Sequence, residues 1–478
     1  MVTPELSPEV LAGLRGRVRI PDYDPESVRV GQVHLGLGGF HRAHQAVYAD
    51  SVLARHPGCA ISAYTWRNAE LADALTAQDG LFTVVTADED REARIIGSIR
   101  RARSAAAHPA RFAAEVADPA VTVVTLTVTE KAYPQTSDGH LDTGNPAIAR
   151  DRVREEPGES VIGLLTRALA ERARRTTRPL AVISCDNLSG NGLVTERLVH
   201  EFAQQHPVYR EAELSAWLAG HVTFPSTVVD RIVPGPAEAL GAEVRGLSGV
   251  RDAAAVLTEP YRQWIIEDRF LGERPPWDEA GAVFVPEVAP YEQLKLRVLN
   301  AAHTALAYPG LLAGQDNVRE AVTDPAIRAG VEDLIDQEII PHLPVVEADP
   351  AAYAATVLRR FANPEVPYSL AKLGADGSQK IRQRLAPTAV AALERGHPPH
   401  RVAAVLASWI RWVVHCAREQ PDRLMDPHSA ALLEIARTHR DESVALRILD
   451  TIPVVPERLS ADPVFREEVL AGLRTASR

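Results

Sequence analysis

Lys295, Asn300 and His303 stand close together in the segment Tyr291-Glu292-Gln293-Leu294-Lys295-Leu296-Arg297-Val298-Leu299-Asn300-Ala301-Ala302-His303. Read as a regular helix at ~100° per residue, Glu292, Lys295, Asn300 and His303 fall within an arc of roughly 140°. One face then presents a carboxylate, an ammonium, an amide and an imidazole, while Leu296 and Leu299 pack elsewhere. A polar helix face is ordinarily a solvated one, but an asparagine and a histidine among small alanines suit a cleft better. Hydride transfer at a carbon bearing a hydroxyl needs such a set. Lysine can take the hydroxyl proton if burial or nearby cations lower its pKa, and amide N–H groups can stabilise the developing alkoxide. No Cys/His set with zinc-ligand spacing accompanies them, so the expected chemistry is metal-independent.

A second informative site lies near the N-terminus, in V-H-L-G-L-G-G-F-H-R-A-H. Gly36 and Gly38, followed by Gly39 and Phe40, sit where an apolar strand gives way to a helix. The first glycine permits a tight turn, and the second lets backbone amides approach a pyrophosphate at the positive end of the helix. The third position of the usual dinucleotide fingerprint is His41 rather than glycine. That fingerprint also expects a carboxylate after the second strand, on the adenine ribose. Here the chain reads Thr65-Trp66-Arg67-Asn68. Asn68 can hydrogen-bond ribose hydroxyls and Arg67 can receive a 2′-phosphate, so the reading is NAD with NADP left open.

Several motifs in order resemble the polyol-specific long-chain dehydrogenases, the mannitol dehydrogenase and fructuronate reductase family. They are G-L-G-G-F-H-R-A-H-Q (Gly36–Gln45), S-C-D-N-L-S-G-N-G (Ser184–Gly192), F-P-S-T-V-V-D-R-I-V-P (Phe224–Pro234), E-P-Y-R-Q-W-I-I-E-D (Glu259–Asp268), Lys295-x-x-x-x-Asn300-x-x-His303 and D-G-S-Q-K (Asp376–Lys380). The resemblance implies a Rossmann-like N-terminal domain, a mostly helical C-terminal substrate domain, and a cleft between them. It makes Lys295 the general acid/base and Asn187 with Asn300 an oxyanion hole. His303 would orient substrate oxygens and Lys380 would bind the far end of the substrate. Glu292 and Glu130 would gate proton exit from Lys295, and Asp230 would lie near cofactor or substrate. Thr129-Glu130-Lys131 resembles the fructuronate reductases more than the mannitol 2-dehydrogenases. Arg262 is basic where the latter tend to be apolar. Lys131, Arg262, Lys372 and Lys380 are therefore expected to receive a sugar carboxylate, which favours fructuronate reduction to mannonate over mannitol or arabinitol oxidation.

The elements that must position these residues follow a simple plan. Short apolar runs at Gln32–Leu37, Cys59–Trp66, Phe82–Thr86, Ile95–Ile99, Val121–Thr129 and Leu180–Cys185 read as strands. Between them, helical patterns are expected at His41–Leu53, Asn68–Gln78, Arg111–Val116 and Ser160–Ala173. Such alternation predicts an α/β unit with a parallel sheet. From about Pro290 the pattern is helical, as in Ala351–Phe361, Arg401–Ala417 and Val464–Leu473, so the domains are expected at 1–286 and 287–478.

Composition narrows the alternatives. Apolar residues are 46% and charged residues 24% of 478, ordinary for a globular chain. A formal charge of −11 argues against a nucleic-acid groove. Cys59, Cys185 and Cys416 form no spaced pair, which suits a reducing cytoplasm. The first twenty residues lack a long apolar core, so no signal peptide is expected, and no run reaches the ~20 apolar residues of a membrane span. The expected partner is a small sugar acid or polyol, bound by a monomer or small homo-oligomer. Three rivals remain. Tyr291-x-x-x-Lys295 also fits the short-chain dehydrogenase pair. A zinc enzyme would have to use His41 and His44. A catalytically silent nucleotide-binding protein would be expected to lack Lys295, Asn300 or His303.

Overall fold

The computed structural model describes residues 3–475 apart from 89, 157, 236–238, 346 and 366–367. The chain divides into two compact units between Ala289 and Pro290.

The first unit is built on a parallel sheet. Its strands are β1 (Val30–Leu35), β2 (Ala60–Thr65), β5 (Ile99–Ser104), β6 (Val123–Leu126), β7 (Leu180–Ser184) and β8 (Val222–Thr223), in the spatial order β5-β2-β1-β6-β7-β8. All five pairings are parallel. β2, β6 and β7 are buried along their whole length, which is why they read as unbroken apolar runs rather than alternating ones. The chain lays strands outward from β1 through β2 to β5, then returns to β6 on the other flank. The strand order thus reverses between β1 and β6, where open α/β sheets bind ligands beyond the strand C-termini.

Two small sheets complete the unit. β3 (Phe82–Ala87) pairs antiparallel with β4 (Arg91–Ile96) and parallel with β10 (Val256–Thr258). β9 (Thr227–Asp230), β11 (Gln263–Glu267) and β12 (Val283–Val285) form the other. These later strands are too short for periodicity to reveal. The segment Ile95–Ile99, expected as one strand, instead straddles β4 and β5. The break at Gly97-Ser98 is held because Gly97 N–H donates to the buried Asp50 carboxylate (2.9 Å) and Ser98 Oγ to the Ala46 carbonyl (2.8 Å). The helix expected over His41–Leu53 is likewise two helices, Gly39–Ala43 and Gln45–Val52. His44 between them takes φ −121°, ψ −89°, and its Nε2 lies 2.8 Å from the Gln263 carbonyl, tying the kink to the start of β11.

The second unit is helical. Its centre is the helix His400–Glu419, which packs against Pro463–Thr475, Ser429–Thr438 and Ala301–Leu312. Val402, Leu406, Trp409, Val413 and Cys416 recur at three- and four-residue spacing on its buried face.

Candidate active site

At the nucleotide turn the glycines separate into distinct roles. Gly36 has φ +108°, and a Cβ there would lie 2.1 Å from the Thr127 carbonyl oxygen, so this glycine is demanded by the close approach of β1 to β6. Gly38 is extended at φ −144° and caps the helix Gly39–Ala43. A Cβ at Gly38 would meet nothing nearer than the Gly36 oxygen at 3.6 Å. Space is therefore open in front of the first-turn N–H groups, which have no partner within the helix, and these residues fit a diphosphate. His41 explains the departure from the third glycine. Its buried ring stacks flat on His34, centroids 3.4 Å apart at 11°, so helix and strand stay close despite a side chain. His34 Nδ1 meets Thr125 Oγ1 (2.8 Å) and Nε2 meets Thr127 Oγ1 (3.0 Å), while Thr127 Oγ1 donates to the Gly36 carbonyl (2.9 Å). Burial drives the His34 pKa down to about 3 and that of His41 well below its ordinary value.

At the end of β2, Arg67 and Asn68 are exposed. Asn68 Oδ1 accepts from Leu71 N–H (3.2 Å) as the cap of the helix Ala69–Ala77. That oxygen is thus committed to capping the helix.

The ends of β6 and β7 carry the next candidates. Glu130 and Lys131 are exposed in a single 3₁₀ turn, Glu130–Ala132, after β6. Asn187 is exposed immediately beyond β7. The second asparagine of that motif, Asn191, has a different job. It is fully buried, and its Nδ2 donates to the Asp186 and Thr227 carbonyls (3.0 Å each) while its Oδ1 accepts Thr227 N–H (2.9 Å). Gly192 beside it could not carry a Cβ, which would meet the Phe224 oxygen at 2.3 Å.

Asp230 ends β9 and is buried. Its neighbour Arg231 was not singled out by sequence reasoning. The Arg231 guanidinium is buried, donates to the Glu259 carbonyl (2.8 and 3.1 Å) and bonds the Ala43 carbonyl, fastening the first helix to β9. Arg262, expected to meet a carboxylate, is already engaged. It lies over the Tyr48 ring at 4.5 Å and donates to the Ala280 carbonyl at 3.0 Å. That packing is a structural job the sequence did not reveal.

In the second unit the expectation of a regular helix through Lys295 is overturned. Ala289–Leu294 is α-helical, Lys295–Asn300 is a π-helix, and Ala301–Leu312 is α-helical again. With i→i+5 bonding each residue turns only ~80°, so Lys295 and Asn300 come to within roughly 50° of each other rather than 140°. His303, three α-helical residues on, then falls about 60° back from Asn300. The three side chains share one narrow face, and the wide turn is what aligns them. Arg297, within the same turn, is buried on another side, donating to Thr388 Oγ1 (3.1 Å) and the His342 carbonyl (2.7 Å). Glu292 and Lys295 are half-buried.

His303 is buried against the rings of Phe361 (4.2 Å) and Tyr368 (5.6 Å), and its Nε2 has no hydrogen-bond partner among the described residues. Its pKa is held well below the ordinary value first by burial, then by the charges of Arg384, Arg360 and Lys380. Arg384 also donates to the Asn300 carbonyl (3.2 Å) and to Thr304 Oγ1 (3.3 Å). Lys380 is half-buried and donates to the Leu373 (3.1 Å) and Lys372 (3.3 Å) carbonyls. Burial and then Arg384 lower its pKa. The Lys372 side chain is exposed. Arg360 and Arg384 escaped the sequence reading because nothing local distinguishes them from surface arginines. In D-G-S-Q-K, Asp376 takes φ +55°. At Gly377 a Cβ would strike the Trp409 Nε1 at 2.3 Å. The motif is thus a tight docking of Lys380's helix.

The rival sites differ in character. The Tyr291 pKa is raised, by burial and then by Glu347, the opposite of what a tyrosine base needs. His44 is buried, like His41. Among the described residues, no three His, Cys, Asp or Glu side chains converge as a metal site would require.

Residues 30–279 match the mannitol dehydrogenase Rossmann domain and residues 287–470 the mannitol dehydrogenase C-terminal domain. The chain belongs to the mannitol dehydrogenase family. It is an oxidoreductase acting on CH–OH groups. Its relatives in the mannitol dehydrogenase family include both a sugar-acid and a polyol enzyme. It is 38% identical to the D-mannonate oxidoreductase of Escherichia coli over 82% of each chain. It is 36% identical to a mannitol 2-dehydrogenase of Phaeosphaeria nodorum over 83% of this chain and 71% of that one. The Pseudomonas fluorescens mannitol 2-dehydrogenase, solved as a ternary complex with NAD and D-mannitol, superposes with a TM-score of 0.82. That match is at 31% identity and covers 99% of this chain and 97% of that one.

Proposed function

We propose that this protein reduces D-fructuronate to D-mannonate with NADH, Lys295 handling the proton. The observation that carries the substrate class is at His303, whose pKa is lowered, after burial, by the charges of Arg384, Arg360 and Lys380. A neutral polyol gains little from such a potential. A uronate carboxylate is stabilised by it, and arginine offers a paired N–H geometry. NAD is supported by the open turn at Gly38 and by the bound cofactor of the Pseudomonas fluorescens relative. When bound, the nicotinamide supplies or accepts the hydride. Lys295 gives a proton to the carbonyl oxygen as it becomes an alkoxide, and Asn300, on the same helix face, donates a hydrogen bond to that oxygen. The family resemblance gives Asn187 the same donor role and gives Glu292 and Glu130 the proton path. Neutral His303 can orient a hydroxyl through its buried Nε2. Three free cysteines, none in a disulfide, support a cytoplasmic setting.

The polyol relatives favour one second reading, oxidation of mannitol at C2. A steady-state screen of fructuronate, fructose, mannitol and arabinitol with NAD and NADP, in both directions, separates the two. Fructuronate is expected to have the highest kcat/KM. Lys380→Met is expected to raise the KM for fructuronate ~10-fold or more, about 1.4 kcal/mol of lost binding, and to leave fructose nearly unchanged. Equal loss for both substrates would overturn the carboxylate assignment.

A further inference from the structure

Thr129 has φ +72° and ψ +160°. Among the described residues it is the one β-branched side chain at positive φ; the other non-glycine cases are Asp79, Glu213, Asp376 and Asp441. That combination lies outside the ordinary left-handed helical well, in a region essentially reserved for glycine, and costs ~1–3 kcal/mol. A strained residue persists only where its surroundings over-determine it. Here they do so through one side chain. Asp186 Oδ1 accepts Thr129 N–H at 2.7 Å, and Oδ2 accepts Val128 N–H at 3.1 Å and the Tyr133 hydroxyl at 2.7 Å. Asp186 and Tyr133 are both buried. The carbonyl of Asp186 in turn accepts Leu188 N–H (2.8 Å) and Asn191 Nδ2 (3.0 Å).

One buried aspartate therefore sets two loops at once. Its carboxylate grips the exit from β6 just before Glu130 and Lys131, and its backbone holds the exit from β7 at Asn187. A loop that needed only to close could do so with a glycine at 129 and no buried charge. The chain carries instead a strained threonine and a desolvated carboxylate, each of which costs stability.

We propose that Asp186 is a positioning residue, whose carboxylate holds Thr129 in its glycine-like conformation and so fixes Glu130 and Lys131 relative to Asn187. This rests on the functional reading above, in which those residues meet the substrate or the proton path. Asp186→Asn exchanges one acceptor oxygen for an NH₂ that confronts donors, so one of the three bonds must break. If Asp186 acts through the Thr129 backbone, Thr129→Gly, which adopts positive φ freely, makes the grip less necessary.

The test is a double-mutant cycle of Asp186→Asn and Thr129→Gly. It measures kcat and KM for the best substrate of the screen, NADH affinity by fluorescence, and amide exchange at residues 128–130. Asp186→Asn alone is expected to lower kcat about 10- to 100-fold, with NADH affinity within about 2-fold, and to speed exchange of the Val128 and Thr129 amides. Thr129→Gly alone is expected to keep kcat within about 3-fold, and in its background Asp186→Asn should cost no more than about 3-fold. An equal loss in both backgrounds, wild-type kcat in Asp186→Asn, or unchanged amide exchange would each overturn the proposal. If Asp186→Asn does not fold, Tyr133→Phe removes one of the three bonds and runs the same cycle. If the wild-type protein turns over none of the substrates, the functional reading falls, and amide exchange still decides whether Asp186 holds Thr129.

Discussion

Substituting Gly36 and Gly38 one at a time separates folding from cofactor binding within three residues. In Gly36→Ala the new Cβ stands 2.1 Å from the Thr127 oxygen, where ordinary contact begins at 3.4 Å. Backbone must therefore move by more than 1 Å at the point where Thr127 N–H bonds the Leu35 carbonyl (2.9 Å). Placing alanine at φ +108° costs ~1–3 kcal/mol, and overpacking a rigid site adds ~1–3 kcal/mol. The sum, about 4 kcal/mol, corresponds to a fall in Tm on the order of 10 °C for a unit of this size. Gly38→Ala meets no such obstacle, because its backbone is extended and its surroundings are open. Its stability is expected to change by less than ~0.5 kcal/mol. Its Cβ enters the space in front of the helix amides, so NADH should bind at least ~10-fold more weakly, about 1.4 kcal/mol. Thermal unfolding and NADH fluorescence titration on both variants decide the matter. A Gly36→Ala protein melting within about 2 °C of wild type would refute the packing argument. A Gly38→Ala protein with unchanged NADH affinity would refute the cofactor placement.

Lys295→Ala should lower kcat by at least ~10²–10⁴-fold while NADH still binds; normal turnover would remove Lys295 from the chemistry. Arg262→Ala should lower stability by about 2 kcal/mol, from the lost Tyr48 stacking and Ala280 hydrogen bond, and change the KM for fructuronate less than about 3-fold. A selective rise in that KM would restore Arg262 to carboxylate binding. Stability should fall as pH drops below 6.5. The unfolded chain protonates its histidines near that value, whereas buried His34 and His44 protonate only near 3. Unfolding then takes up protons, and at pH 5 each costs ~2 kcal/mol. His41 and His303 shift in the same direction. A urea midpoint that is flat from pH 7 to pH 5 would contradict this.

Much of the architecture was legible in the sequence because it depends on local pattern. The β-branched runs at β6 and β7 announced buried parallel strands, and the glycine pair after β1 announced the turn from strand to helix. What failed did so where a distant residue overrides local preference. Gly97 and Ser98 divide one apparent strand because Asp50 and Ala46 capture them. His44 kinks an apparent helix because Gln263 holds its ring. The packing of Arg262 on the Tyr48 ring and its bond to the Ala280 carbonyl likewise left no local trace.

The sequence by itself pointed to the class of reaction, oxidoreduction at a CH–OH group, and to candidate groups for it: Lys295, Asn300, His303 and the glycine turn. Residue type and short spacing suffice for that. Only the tertiary structure decided how they are aimed. The cations gathered at His303 and the grip of Asp186 on Thr129 involve groups far apart in the chain. Arg384 lies 84 residues from the Asn300 carbonyl it bonds, and Asp186 lies 57 residues from Thr129. Contacts at such separations leave no period in the sequence, because they form only when packing has closed the intervening chain.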